Sequence, residues 1–290
     1  MTAVSGASAA DVLDYDVFVS ASLELALPDR LPDGGTRTWA PLSTTLVSGA
    51  RDAVLVDPPL TTVQARAVGD WVDRSGKRLR AIVITHAHGD HWFTAATLSD
   101  RFAGAPVLAS PGTIEAMHRA VAARTGFWDR VLPGQIPASP VTAVPAPANR
   151  LSLEGHDVAL VEVGHSDTDD TSVVHVPDLD LVVAGDVVYN GVHQFLVESA
   201  DGGRDAWRTA LDTVAALRPH QVVAGHKDRH RDDDATRTID ETRRYLDDAD
   251  QLLAECTDPV GSFTAMRERH PDRLNPSTLW GSAVALYASG

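Results

Sequence analysis

Only one cysteine, Cys256, stands in 290 residues. A lone thiol cannot close an intramolecular disulfide, so nothing in the chain demands an oxidising compartment. It falls at helical spacing with Tyr245, Leu246, Leu252 and Leu253, which reads as a small buried apolar residue rather than a nucleophile. Basic residues never gather: Lys and Arg are scattered, with no run of five or more, in a chain of net charge −15. Such a surface repels phosphate backbones and argues against general nucleic-acid binding. No stretch approaches the roughly 18 apolar residues needed to span a bilayer. The opening MTAVSGASAADVLDYD lacks a basic segment followed by an apolar core and does not read as a secretory signal. The expectation is a cytoplasmic protein that meets a small-molecule substrate, not nucleic acid or a membrane, with a homodimer left open.

What is present is a composition able to build a core, 43% hydrophobic and 22% charged. Residues 1–14 are small and polar and are expected to be mobile. Apolar runs then recur. Strands are predicted at 17–19, 44–47, 53–56 and 81–85, the second pair ending at Asp57-Pro58-Pro59 and at a cluster of histidines. Helical spacing covers 61–74, 93–102 and 111–124, the last with Pro111 suited to a first turn. Residues 127–150 carry five prolines and one candidate strand, 141–144. They read equally as a lid beside a pocket or as an ordinary connection. Strands return at 157–163, 171–176, 181–184 and 221–224, with helices at 205–217 and 232–256 and two short ones in 259–290. Strand-rich halves flanked by helices predict an α/β fold of two packed mixed sheets with helices outside. The division expected is one domain over 15–290, with a helical extension from about 231.

The chemistry concentrates where the strand Ile82-Val83-Ile84-Thr85 runs into His86-Ala87-His88-Gly89-Asp90-His91. Four metal-capable side chains lie in six residues, and neutral imidazole with carboxylate suits zinc and similar borderline ions. Histidines this dense directly after an apolar strand are hard to explain as surface decoration. Three later residues repeat one pattern, each following a strand and a glycine: His165 after Gly164, Asp186 after Gly185 and His226 after Gly225. Strand ends converging on one edge can assemble a site from distant sequence.

Thr85 to His91 resembles the HxHxDH signature of the metallo-β-lactamase superfamily, and His165, Asp186 and His226 are similar to its remaining ligands in type, order and spacing. The resemblance covers about residues 40–230 and implies a four-layer αβ/βα sandwich. It also implies two divalent ions, zinc being the expected one: His86, His88 and His165 on the first, Asp90, His91 and His226 on the second, Asp186 bridging. Asp90 would in addition orient the attacking water. The implied reaction is attack of a hydroxide bridging the ions on an ester, lactone, thioester or cyclic amide carbonyl.

His88 stands where redox-active diiron relatives often carry Glu, and Asp186 where the best-known β-lactamases carry Cys or another residue. Tyr189, three residues after Asp186, resembles a tyrosine of the acyl-homoserine lactonases whose hydroxyl assists the carbonyl oxygen; a wall aromatic is the rival reading. Residues 190–195 are expected at the pocket rim, with His193 a candidate for a further catalytic group, and Lys227 is a candidate for an anion contact or a surface lysine. The short acceptors of 166–170 either orient His165 or make turns. Three function classes stay open: a dinuclear hydrolase, a mononuclear iron oxygenase of the persulfide dioxygenase type, and a metal-binding protein without catalysis. A β-lactamase is the further hydrolase alternative.

Overall fold

The computed structural model describes residues 12–288. The mobile segment expected over 1–14 lies mostly outside them. Its end does not fit that reading, because Leu13 is buried and Asp14 opens a strand.

The elements in chain order are β1 (Asp14–Ser20), β2 (Leu23–Glu24), β3 (Thr38–Trp39), β4 (Leu42–Ser48), β5 (Asp52–Val56), α1 (Thr62–Ser75), β6 (Arg78–Val83), α2 (Ala95–Arg101), β7 (Val107–Ala109), α3 (Pro111–Ala123), α4 (Trp128–Val131) and β8 (Val144–Pro145). The second half adds β9 (Arg150–Leu153), β10 (His156–Gly164), β11 (Thr171–Val176), β12 (Leu181–Asn190), α5 (Gly203–Ala216), β13 (Gln221–Lys227), α6 (Ala235–Glu255), α7 (Pro259–Arg269) and α8 (Pro276–Ala288). Local chemistry sets several boundaries. Thr61 and Gln64 form a reciprocal cap at the start of α1, and Ser110 caps α3 ahead of Pro111. Asp258 caps α7, whose first residue is Pro259.

One sheet runs in the order β1-β4-β5-β6-β7-β8, the other β13-β12-β11-β10-β9. Both are mixed. In the first, β1, β4 and β5 pair antiparallel and β5 to β8 parallel. In the second, only β12 and β13 are parallel. Three apolar clusters show the layering. Val54, Val56, Val83 and Leu108 of one sheet meet Val158, Val174, Val183 and Val223 of the other between the sheets. Val68 and Val72 of α1, Leu98 of α2 and Met117 of α3 cover the outer face of the first sheet. Trp207 and Leu211 of α5, Tyr245 and Leu246 of α6 and Phe263 of α7 cover the second. The result is the αβ/βα sandwich that the resemblance implied, with the two mixed sheets and outer helices anticipated from the strand pattern.

Three local expectations need correction. The strand expected at 141–144 is reduced to Val144–Pro145, at the edge of the first sheet. The strands expected to stop at 184 and 224 continue to Asn190 and Lys227, because irregular pairing between Val183 and Tyr189 lets β12 pass through Gly185 and Asp186 without ending. Cys256 is half-buried at the end of α6 rather than fully enclosed.

His193 sits in the helical layer, not in a pocket rim. It is buried, with Nδ1 3.0 Å from the Tyr245 hydroxyl, and the Arg273 guanidinium stacks 4.7 Å above the Tyr245 ring. Burial, then Arg273, His270 and Arg267, lower its pKa to about 3. The unfolded chain, with an ordinary value near 6.5, binds a proton below that pH that the folded protein rejects. Stability is therefore lost as pH falls through 6.5 toward 3, by at most about 1.4 kcal/mol per pH unit. Urea midpoints in chelator between pH 7 and 5 should fall less steeply for His193→Asn than for the parent; parallel slopes would refute the assignment.

Candidate metal centre

The buried strand β6 aims the chain at the centre. Ile82, Val83 and Ile84 are fully enclosed, and the backbone then turns through Gly89–His91, where the His91 amide donates to the His88 carbonyl at 3.0 Å. The Ser172 amide donates to the Thr85 carbonyl at 2.8 Å, tying this loop to β11 of the facing sheet. The loop thus stands where the two sheets meet.

Ligand atoms gather there in two main groups, His86, His88, Asp167 and Asp186 in one and Asp90, His91 and His226 in the other, and a third, Asp57, His86 and His91, shares a histidine with each; within every group the atoms lie within 4.8 Å of one another. Asp186 joins them: its Oδ1 lies 3.3 Å from His91 Nε2 and its Oδ2 3.3 Å from His226 Nε2. His226 Nε2 is also 3.2 Å from Asp90 Oδ2. Several of these atoms are close without being hydrogen-bonded. His86 Nε2, Asp90 Oδ1, His91 Nε2, Asp167 Oδ2 and Asp186 Oδ1 are buried without a partner. An unsatisfied buried polar group costs about 1–3 kcal/mol, more when charged. Five in one spot fit a place for cations, and nitrogen with carboxylate oxygen is a donor set for transition-metal ions.

The far side of each imidazole is held. Thr85 Oγ1 lies 3.0 Å from His86 Nδ1, Glu198 Oε1 3.2 Å from His88 Nε2, Asp57 Oδ2 3.1 Å from His91 Nδ1, and the Pro41 carbonyl 2.9 Å from His226 Nδ1. Such outer acceptors fix which nitrogen faces inward. Asp57 carries the most: it also accepts from the Thr85 amide at 2.9 Å and the Thr85 hydroxyl at 2.7 Å. Its φ of 53° is left-handed, a conformation a non-glycine residue rarely adopts. Asp57→Ala should weaken metal binding about 10–100-fold, measured by competition with a chromophoric chelator. Unchanged affinity would show that His91 is oriented by something else.

Of the residues singled out in the sequence, His86, His88, Asp90, His91, Asp186 and His226 come together. His165 does not enter either group. Its Nδ1 is 2.7 Å from Asp169, and its Nε2, buried and unpartnered, faces Gly203 at the start of α5. Asp167, two residues on, stands beside His86 and His88 instead. Lys227 does not reach the centre either: it is buried and ion-paired with Asp233. Sequence reasoning took Asp167 as one of the short acceptors beside His165, not as a neighbour of His86 and His88; it missed Asp57, Glu198 and Trp39, whose indole Nε1 donates to Asp90 Oδ2 at 2.8 Å. The Asp-Pro-Pro that follows β5 was the available signal for Asp57, since a carboxylate at a strand end is placed like the other site residues.

Electrostatics follow from burial opposed by close partners. Burial works against a charged Asp186, but His226 and His91 outweigh it and hold the carboxyl well below its ordinary range. Burial likewise opposes protonation of His91, while Asp186 and Asp90 carry it well above 6.5. His86 is driven the other way, by burial and then by His91.

A cavity of about 350 Å³ opens onto these groups. His88, Asp90, Tyr189 and His226 line it on the centre's side, and Trp39, Phe127, Trp128 and Phe195 are among its apolar walls. Part of the 127–150 segment is therefore pocket wall. Thr278 and Gly281 of α8 contribute as well.

The family model of the metallo-β-lactamase superfamily matches residues 37–226. A comparison with curated protein sequences finds no match. Among solved structures, the chain is similar to a metallo-β-lactamase family protein from Thermus thermophilus (TM-score 0.62, 17% identity, 93% of this chain and 91% of that one). It is also similar to a metallo-β-lactamase from Pontibacter korlensis (0.56, 19%, 81% and 99%) and to the FIM-1 enzyme of Pseudomonas aeruginosa in its mono-zinc form (0.54, 18%, 82% and 92%). At these identities the structures establish the fold, and the family match covers most of the chain that builds the centre: the protein belongs to the metallo-β-lactamase superfamily.

Proposed function

We propose that this protein is a dinuclear metal-dependent hydrolase of a small ester or lactone with an apolar body. The observation that carries the reading is the set of partnerless buried imidazole and carboxylate atoms beside a 350 Å³ apolar-walled cavity. That volume falls within the range of small-molecule sites. Two divalent ions held by His86, His88, Asp90, His91, Asp186 and His226 would lower the pKa of a water and polarise a carbonyl. Asp90, with one oxygen fixed by Trp39 and the other partnerless, is suited to orient that water and accept its proton. Trp39, Phe127, Trp128 and Phe195 exclude bulk solvent and take the apolar part of the substrate.

Elemental analysis of the zinc-reconstituted protein, followed by a panel of lactones, aryl esters and thioesters of graded chain length, tests this. Two metals per chain and turnover that rises with chain length are expected. A single iron with persulfide oxidation would overturn it. The superfamily's name and the FIM-1 likeness favour a β-lactam as second reading, so a penicillin and a cephalosporin belong in the panel.

Tyr189 donates its hydroxyl to Asp186 Oδ2 at 2.6 Å, stacks on His226 and faces the cavity. We assign that hydroxyl to the carbonyl oxygen as charge develops there. Losing such a donor lowers kcat by about 10²–10³ where it acts alone; with ions sharing the load, Tyr189→Phe should cost roughly tenfold or more in kcat with little change in KM. Unaltered kcat with weakened metal binding would make Tyr189 a positioning residue for Asp186.

A further inference from the structure

We propose that Asp167, and not His165, is the protein ligand that joins His86 and His88 in holding the first ion, an inference that rests on the centre binding metal. The loop between β10 and β11 presents these two side chains in opposite ways. Asp167 has a fully enclosed side chain; Ser166 Oγ donates to its Oδ1 at 3.0 Å, leaving Oδ2 free 2.8 Å from His88 Nδ1 and 3.8 Å from His86 Nε2. That is the arrangement of His86 and His91: one atom held from outside, the other directed inward without a hydrogen bond. Asp167 Oδ2 and His88 Nδ1 approach closely without hydrogen-bond geometry, as two donors do when they converge on a common point.

His165 differs in where it points. Its Nδ1 is held by Asp169 and its Nε2 is buried and unpartnered, but that Nε2 abuts Gly203 and lies outside both groups of converging atoms. The loop is pinned in this orientation. The Ser166 amide donates to the Thr168 carbonyl at 2.9 Å, and Thr168 Oγ1 donates at 2.7 Å to Glu198, the carboxylate that also holds His88. Turning His165 inward would break its contact with Asp169.

The exchange changes the chemistry of the centre. Each half holds its ion with two imidazoles and one carboxylate of its own, and Asp186 reaches both. A carboxylate in place of a third imidazole adds negative charge and a harder donor, which moves preference toward manganese and iron relative to a three-histidine site.

The test uses the full chain, reconstituted with zinc and separately with cobalt(II). Asp167→Asn is expected to lower zinc stoichiometry from two per chain to one, and His165→Asn to leave it at two. Melting temperatures in chelator should match the parent, showing that both variants fold. In the unsubstituted cobalt protein, paramagnetic NMR counts exchangeable imidazole N–H signals directly, so the assignment does not depend on a variant surviving. Four are expected, from His86, His88, His91 and His226. Five signals, or metal loss in His165→Asn with none in Asp167→Asn, would overturn the assignment while leaving the metal-centre reading intact. No zinc or cobalt bound by the parent would sink both.

Discussion

Asp186→Asn is expected to lower hydrolysis by about 10³-fold or more while the protein stays folded. Each 1.36 kcal/mol is a factor of ten in rate, and ions at such a centre contribute several kcal/mol. Among the described residues, Asp186 is the one carboxylate whose two oxygens approach different imidazoles, His91 at 3.3 Å and His226 at 3.3 Å. Tyr189 leans on the same group. An amide keeps the shape but loses the charge that would balance bound cations, so metal content should fall in parallel with rate. The fold should survive because the change is nearly isosteric and the cores on either side of the sheets do not use this side chain. Calorimetry in chelator should place the variant close to the parent or above it, since the metal-free centre is crowded with partnerless polar atoms. A variant with full activity and two bound metals would remove Asp186 from the centre.

The residues that converge at this centre were largely legible, from one dense turn and from the repeated strand-glycine pattern of Asp186 and His226; the residues that hold them from outside were not. His86, His88, Asp90 and His91 announce themselves because one strand and one turn place them, and no distant partner is needed to see it. The two-sheet architecture was readable for a similar reason: strands such as 53–56 and 81–84 are continuous apolar runs, as an enclosed sheet favours. Asp57 and Trp39 act across 34 and 51 residues of chain. Nothing local distinguishes an aspartate that ends a strand from one that orients a histidine. His165 and Asp167 illustrate a different limit. Both are plausible ligands two residues apart, and the direction of each depends on hydrogen bonds to Asp169, Thr168 and Glu198 that spacing does not encode. The continuation of β12 through Asp186 was hidden because irregular pairing, not a turn, accommodates Gly185 at φ +50°. The contribution of α8 to the pocket likewise comes from packing of the chain end, far from the motif.

Gly225→Ala is expected to abolish metal binding through a single methyl group. Gly225 precedes His226 on β13, where the strand passes directly beside the converging ligands. A Cβ built there would overlap Asp186 Oδ1 and come within 2.7 Å of His91 Cε1 and 2.9 Å of the Gly185 carbonyl carbon. The last of these is backbone in the neighbouring strand and cannot rotate aside. Relief requires β13 to move away from β12, or Asp186 and His91 to leave their positions. Either outcome breaks the registration of the two ligand groups, because Asp186 belongs to one and reaches His91 and His226 of the other. Overpacking of an enclosed site also costs about 1–3 kcal/mol of stability. The control is Gly126→Ala, whose Cβ meets nothing within 4 Å and should leave stability and metal content unchanged. Zinc stoichiometry and a melting curve for the two variants decide the matter. If Gly225→Ala binds two ions with the affinity of the parent, then β13 does not approach Asp186 as closely as this structure has it, and the convergence of His226 with the rest of the centre is wrong.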